Sequence, residues 1–249
     1  MTLAPVTRQL AAAALAQLGL FAGLSALVGL GPVGWCTGIA YAGALGFLVA
    51  RAFHRAGAHS LGPADRVTLA RAVLAGGVTA LVVDGWVGGG TPVVVLVGLA
   101  SLALALDAVD GYVARRSRTA SAVGARFDME VDAFLLLVLS LHVAGSLGAW
   151  TATIGLLRYV FVAAGWVLPW LRGPLPVRYS AKAIAALQGI VLVVAASEVL
   201  PAPLAAGLVA VALGLLVWSF GRSVAWLRRA ARVREDAALD RSPSGLAVL

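Results

Sequence analysis

Eight apolar stretches, each long enough to cross a bilayer, constrain the fold of this chain more than any other feature of its sequence. A helix needs about 20 apolar residues to span the hydrocarbon core of a membrane. Runs of that length fall near residues 9–29, 32–52, 66–86, 91–113, 128–148, 150–171, 182–200 and 204–222. Glycine and proline pairs typical of turns, such as Gly31-Pro32 and Gly173-Pro174, separate several of them. The sequence therefore predicts an all-α, polytopic integral membrane protein with about eight transmembrane helices.

The composition agrees with a membrane protein and excludes some classes of site. Hydrophobic residues make up 61% of the chain and charged residues only 12%, whereas a soluble domain has about 25% charged residues. The single cysteine, Cys36, excludes an internal disulfide and any zinc site built from cysteines. The net charge of +8 is explained by an anionic membrane surface and a polyanionic substrate, so no nucleic-acid partner is predicted.

The basic residues predict an orientation in the membrane. All but two of the 19 basic residues fall near the chain termini or in every second loop, and the two exceptions inside spans are Arg71 and Arg158. Loops rich in Lys and Arg stay on the cytoplasmic side. We therefore expect both termini to be cytoplasmic, in the cytoplasmic membrane of the cell.

Four aspartates at the junction of the fourth and fifth spans are the strongest indication of chemistry. Asp107 and Asp110 are three residues apart, and Asp128 and Asp132 are four apart, so each pair lies on one face of a helix. Hard cations such as Mg²⁺ are usually held by a few carboxylates together with substrate phosphates. The spacing therefore predicts phosphate chemistry at a metal site on the cytoplasmic rim.

The same stretch resembles the signature of the CDP-alcohol phosphatidyltransferase family, D-x2-D-G-x2-A-R-x8-G-x3-D-x3-D. All eight fixed positions agree; they are Asp107, Asp110, Gly111, Ala114, Arg115, Gly124, Asp128 and Asp132. The resemblance implies an enzyme of phospholipid biosynthesis that transfers a phosphatidyl group from a CDP-alcohol, such as CDP-diacylglycerol, to an acceptor hydroxyl and releases CMP. It also implies a six-helix core and a homodimer.

The resemblance further implies a role for each motif residue. Two Mg²⁺ or Mn²⁺ ions would be held by the carboxylates of Asp107, Asp110, Asp128 and Asp132. Asp132 would also take the proton of the acceptor hydroxyl. The nucleotide and its pyrophosphate would lie against Gly111, Ala114, Arg115 and Gly124.

A second, looser family element, N-x-x-T-x-x-R, resembles residues 64–74, ADRVTLARAVL. Thr68 and Arg71 match it, and the resemblance implies that they bind the pyrophosphate, while Asp65 stands where asparagine is expected. An arginine near the end of a span also fits a side chain that reaches back to the membrane surface.

A partial match to a third element, G-K-x-x-T-x-x-Q, surrounds Lys182, the only lysine of the chain. With Arg118, Arg126 and Arg178 it predicts a site for an anionic acceptor, although the orientation of the chain would explain these basic residues equally well. The acceptor itself is not identified, because the spacing residues of Asp-Met-Glu-Val-Asp fit none of the subtype patterns.

We expect three regions: residues 1–58, a two-helix membrane extension; 59–225, the phosphatidyltransferase core; and 226–249, a basic cytoplasmic tail. Two other classes of function compete with the enzyme, a membrane transporter and a non-catalytic membrane scaffold. Within the enzyme class, the alternative is transfer of the CDP-choline or CDP-ethanolamine type to a lipid alcohol.

Arg158 lies deep in the sixth predicted span. An unpaired cation at that depth is costly, so we expect Arg158 to pair with Glu198, with His142 or Asp84 nearby. Glu130, off the face shared by Asp128 and Asp132, is expected to tolerate substitution by glutamine.

Overall fold

The computed structural model describes residues 5–58, 60–117, 121–173 and 179–239. These residues form eight α-helices and no β-strand: α1 (Pro5–Val28), α2 (Pro32–Arg55), α3 (Pro63–Gly88), α4 (Val93–Ser117), α5 (Ala122–Leu147), α6 (Thr153–Val167), α7 (Tyr179–Ala196) and α8 (Ala202–Leu239). Two short 3-10 turns, Ala149–Ala152 and Pro169–Arg172, flank α6. Each helix coincides with one of the apolar stretches, so the predicted all-α polytopic fold is confirmed.

Hydropathy separates the helices into two groups. Six helical segments of the described chain are long and apolar enough to cross a membrane, while the apolar parts of α4 and α7 are shorter, Val93–Asp107 and Ser180–Ala196. Proline marks the first turn of α2 and of α3, where its missing N–H leaves no hydrogen bond unmade. Gly89 ends α3 with a left-handed φ of 85°, a conformation that glycine adopts without strain.

Helix α3 is the centre of the bundle. It packs against α1, α2, α4 and α5, and it is buried over most of its length. The other long helices, α1, α2 and α8, are mostly exposed, as expected for helices that face lipid. The residues that α3 carries near its first turns are therefore shielded from the bilayer by its neighbours.

Asp84, near the end of α3, joins that helix to α2. Its carboxylate accepts hydrogen bonds from the backbone N–H groups of Gly31 at 2.8 Å and Gly34 at 2.9 Å. A carboxylate at a helix N-terminus also interacts favourably with the helix dipole. Asp84 therefore caps α2, and the expectation that it lies beside Arg158 is wrong.

The expected partner of Arg158 is also wrong. Arg158 Nη2 lies 2.5 Å from Glu130 Oε1 on α5. Glu198 lies in the exposed loop beyond the end of α7, with a positive φ of 55°. Glu130 is therefore half of an ion pair, and its tolerance of glutamine stays a prediction.

The contact between α5 and α6 explains why Arg158 reaches Glu130. Gly155 lies directly against the backbone of Leu137 and the hydroxyl of Ser140, and a Cβ atom at this position would overlap the Leu137 backbone. Because α6 approaches so closely, one further helical turn brings Arg158 alongside the first half of α5. Depth counted along a single span could not reveal this register.

Helix α8 continues without a break from its apolar part into the predicted basic tail, as far as Leu239. Its 38 residues correspond to about 57 Å at 1.5 Å per residue, well beyond the roughly 30 Å of the hydrocarbon core. The Arg222 guanidinium lies 5.3 Å from the centre of the Trp218 ring. This cation–π contact falls where the apolar part of α8 gives way to its basic part.

Disruption of the Arg158–Glu130 pair should destabilise the protein through the partner left behind. We expect Arg158→Leu to lower the free energy of unfolding by about 1 kcal/mol, and Arg158→Leu with Glu130→Leu to recover most of that loss. Thermal unfolding in detergent measures both effects, and Glu198→Leu should not rescue Arg158→Leu. Equal rescue by Glu198→Leu would show that Glu130 is not the partner.

The loops that lack basic residues should face the outside of the cell. In a Cys36→Ser background, a cysteine at Gly89 or Ala202 should react with a membrane-impermeant maleimide added to intact cells, and a cysteine at Ser117 should react only after lysis. The reverse labelling pattern would invert the predicted orientation.

Candidate active site

Three helices bring charged side chains together at one end of the bundle. Arg71 comes from α3, Asp107 from α4, and Asp128 and Asp132 from α5. Arg71 Nη1 lies 3.0 Å from Asp107 Oδ1 and donates a 2.6 Å hydrogen bond to Asp128 Oδ1. Arg71 Nη2 pairs with Asp132 Oδ1. The two terminal nitrogens of one guanidinium thus connect carboxylates from both motif helices.

Burial differs sharply between the cation and its partners. The Arg71 side chain is 1% exposed, while Asp107, Asp128 and Asp132 are 40%, 37% and 38% exposed. The guanidinium forms the floor of the site, and the carboxylates form walls that remain open to solvent. A ligand that enters from solvent therefore meets the carboxylates before it meets Arg71.

The carboxylates outnumber the cation in this group. Oxygens of Asp107, Asp128 and Asp132 all lie within 4.8 Å of one another, close to the spacing at which they could share one small cation. One guanidinium balances one of the three negative charges. The remaining negative charge, on hard oxygen donors, makes the group suitable for a divalent cation such as Mg²⁺.

The row of residues on α3 that leads to Arg71 packs against the start of α5. Asp65, Thr68 and Arg71 follow one another at three-residue intervals on one face of α3, and all three are buried. Asp65 Oδ2 accepts a 2.9 Å hydrogen bond from the Gly62 N–H, and the Asp65 carboxylate fills the space that a side chain at Gly124 would need. Thr68 Oγ1 donates to the Ala64 carbonyl at 3.3 Å.

Gly124 allows α5 to approach α3 closely enough for the Arg71–Asp128 contact. It lies one helical turn before Asp128, and its N–H donates to the Ser121 hydroxyl at 2.9 Å, which caps α5. A methyl group at Gly124 would collide with Asp65 and with this hydroxyl. The Gly-x3-Asp-x3-Asp spacing therefore has a packing explanation here, in addition to the nucleotide contact that the resemblance implies.

Several predicted residues lie where the structure gives no side-chain information. Asp110, Gly111, Ala114 and Arg115 are on α4, beyond the last residue of that helix whose side chain is described. Arg118 and Arg178 lie outside the described residues altogether. Their predicted roles in metal, nucleotide and acceptor binding stay predictions.

The remaining basic residues do not join the carboxylates. Lys182 is exposed near the start of α7, and Arg126 is exposed on α5 and faces α2. Among the ion pairs between described side chains, none connects either of them to the aspartates. Gln188, which completes the third motif, is buried and donates a 2.8 Å hydrogen bond to the Ala212 carbonyl on α8.

Sequence reasoning missed the direct contact of Arg71 with the aspartates. It also left the place of Asp65 open, although the three-residue spacing of Asp65, Thr68 and Arg71 indicates a common helix face. The spacing could not predict which helix packs against that face, because the contact between α3 and α5 joins residues more than fifty positions apart in sequence.

Removal of the Arg71 charge should make stability depend on a divalent cation. Loss of one partner from a buried ion pair costs about 3–5 kcal/mol of unfolding free energy. Because these aspartates are partly hydrated, we expect the loss in Arg71→Met to be about 3 kcal/mol or less. We expect Arg71→Met to unfold at a lower temperature than the unmodified protein in EDTA, and to gain more from added Mg²⁺. Arg66→Met, at an exposed arginine of the same helix, is the control. Equal Mg²⁺ shifts in all three proteins would contradict the prediction.

Comparison with known proteins supports one family. The sequence model of the CDP-alcohol phosphatidyltransferase family matches residues 61–220, well over half of the chain and the part that contains every residue of the site. No curated protein and no solved structure gives a significant match. Helices α1 and α2 lie outside the matched residues. The chain belongs to the CDP-alcohol phosphatidyltransferase family, which transfers a substituted phosphate group from a CDP-alcohol to an acceptor alcohol.

Proposed function

We propose that this protein transfers a phosphatidyl group from CDP-diacylglycerol to an acceptor hydroxyl, with release of CMP, at the cytoplasmic rim of the membrane. The observation that carries the proposal is the convergence of Asp107, Asp128 and Asp132 on Arg71 inside the region that matches the family. A site at the membrane rim suits a reaction between a lipid-linked nucleotide and a water-soluble or interfacial alcohol. Transfer of the CDP-choline or CDP-ethanolamine type remains the alternative within the family.

We propose that the site holds two divalent ions, Mg²⁺ or Mn²⁺, as the family resemblance implies. The described carboxylates supply hard oxygen ligands and an excess of negative charge, and Asp110 from the same helix face as Asp107 would complete the set. When bound, the ions would neutralise the pyrophosphate and lower the pKa of the acceptor hydroxyl. We assign the ligand role to Asp107, Asp110, Asp128 and Asp132.

Asp132 is the proposed base. It lies one helical turn beyond Asp128, and it contacts Arg71 Nη2, whereas Asp107 and Asp128 share Nη1. In the reaction, the acceptor hydroxyl gives its proton to Asp132 while its oxygen forms a bond to the phosphorus next to the diacylglycerol. The bond between that phosphorus and the bridging oxygen breaks, and CMP leaves with that oxygen.

The remaining motif residues would hold the donor in place. Gly111 and Ala114 would leave room for the cytidine nucleotide against α4, and Arg115 would bind a phosphate through two parallel hydrogen bonds. Arg71 is too buried to leave the floor of the site readily, so we propose that it orients the carboxylates and meets the pyrophosphate only from below. Thr68 would support it from the preceding turn of α3.

The sequence also divides the chain into three regions. We propose residues 59–225 as the catalytic core, residues 1–58 as a membrane extension, and residues 226–249 as a basic cytoplasmic tail. An anionic acceptor would meet Lys182, Arg118 and Arg178, whereas Arg126, predicted with them from the sequence, faces α2 on the side of α5 away from Asp128 and Asp132. A homodimer is proposed from the family resemblance.

Substitutions of the aspartates separate their roles. With Mg²⁺, labelled CDP-diacylglycerol and a panel of acceptor alcohols, Asp107→Asn and Asp128→Asn should lose both CMP release and Mn²⁺ binding measured by electron paramagnetic resonance. Asp132→Asn should keep most donor and metal binding but release CMP about 10²- to 10⁴-fold more slowly, the usual contribution of a general base.

The control for this series is Glu198→Gln, because Glu198 is an exposed acidic residue in the loop after α7, outside the carboxylate group. It should match the unmodified protein in every measurement. Unchanged CMP release in any of the three aspartate variants would refute the assignment. Release with none of the acceptors, in a protein that still binds Mn²⁺ and donor, would point to an acceptor outside the panel.

A further inference from the structure

A large cavity lies between α2 and α5, away from the carboxylates. Its volume is about 910 Å³, near the upper end of the range for ligand sites in proteins, roughly 300–1,000 Å³. Most of its lining is apolar, with α2 on one side, α5 on the other and Tyr159 of α6 at the edge. Helix α2 lies outside the residues that match the family, so one wall of this cavity is formed by a part of the chain that the family model does not cover.

Two aromatic pairs hold α2 and α5 apart at the ends of the cavity. Tyr41 stacks on Phe134 with ring centroids 5.0 Å apart, and Phe53 meets Phe127 edge-on at 6.5 Å. The Tyr41 hydroxyl donates a 2.9 Å hydrogen bond to the Ala72 carbonyl, which fixes that ring against α3. Tyr41 and Phe53 are about 18 Å apart along α2 at 1.5 Å per residue. Small residues such as Ala44 and Ala52 line the gap between them.

One end of the cavity carries positive charge. Arg55 at the end of α2 and Arg126 in the first turns of α5 are both exposed and both line it. The charge of Glu130, which also lines the cavity, is balanced by Arg158. The cavity is therefore apolar along most of its length, and beside the loop that joins α2 to α3 it bears two arginines that form no ion pair with a described carboxylate.

These dimensions and charges fit a lipid. The cavity is lined by exposed side chains of α2, Ala44, Leu48 and Ala52, so it is open to the apolar material around the helices, which can fill it. Half of the roughly 30 Å hydrocarbon core is about 15 Å, comparable to the distance between the two aromatic pairs. The arginines lie where the phosphate of such a lipid would be.

We propose that this cavity binds one anionic diacyl phospholipid of the surrounding bilayer, with its acyl chains between α2 and α5 and its phosphate on Arg55 and Arg126. This lipid is separate from the nucleotide donor. On α5, Phe127, Val131 and Phe134 face the cavity, whereas Asp128 and Asp132 face α3 and Arg71 on the other side of the helix. The proposal does not depend on the reaction at the aspartates.

The test measures which lipid the full-length protein keeps. The protein is placed in nanodiscs of equal phosphatidylglycerol and phosphatidylcholine, extracted into a mild detergent, and analysed by native mass spectrometry. We expect about one retained phospholipid per chain, with phosphatidylglycerol preferred about tenfold because two arginines lie at the headgroup position.

Two pairs of matched variants test the two halves of the site. Ala44→Trp with Ala52→Trp fills the cavity and should abolish lipid retention, whereas Ala40→Trp with Ala50→Trp, at exposed positions of α2 outside the cavity, should not. Arg55→Gln with Arg126→Gln should reduce the preference for phosphatidylglycerol to about twofold or less. Arg51→Gln with Arg66→Gln removes the same charge from exposed positions that do not line the cavity, and should leave the preference unchanged.

Three results would overturn the proposal. The first is equal lipid retention by the two double tryptophan variants. The second is a phosphatidylglycerol preference that does not respond to Arg55 and Arg126. The third is an absence of retained lipid together with cysteine cross-links between two chains at Ala44, which would show that a second copy of the protein fills the cavity.

Discussion

The buried guanidinium of Arg71 is the interaction on which the rest of the structure depends. It lies at the point where α3, α4 and α5 meet, and it contacts a carboxylate from each of the two motif helices. A fully buried cation is stable in a membrane protein only with partners of opposite charge. The central helix α3 thus supplies Arg71, the buried positive charge that faces the carboxylates of the candidate active site.

The same interaction organises the site electrostatically. With one cation below and three carboxylates above, the group has a net negative charge among the side chains that the structure describes. A bound divalent cation would compensate it. The three aspartates are partly exposed, whereas Arg71 is almost completely buried. The excess negative charge therefore lies at the opening where metal and pyrophosphate would arrive.

Some of this could be predicted from sequence because it is local. Hydropathy located all eight helices, and the spacing of Asp128 and Asp132 placed them on one face. The failures involve contacts between helices. Arg158 was paired with Glu198 on the basis of depth, but α7 ends at Ala196 and the close contact at Gly155 brings α6 to a different level of α5. The cavity between α2 and α5 is another such case, because it lies between two aromatic pairs whose members are more than seventy residues apart in sequence.

The position of Arg71 has a consequence for how the protein enters the membrane. Helices are delivered to the bilayer in chain order, so α3 arrives with its arginine before α4 and α5, with their aspartates, have been synthesised. A lone arginine within a span opposes insertion by up to about 3 kcal/mol, and its long side chain can limit that cost only by reaching for the headgroups. Until those two helices are in place, Arg71 lacks the aspartates that pair with it in the folded protein. A chain interrupted after α3 would therefore present its charge to lipid without the carboxylates of α4 and α5.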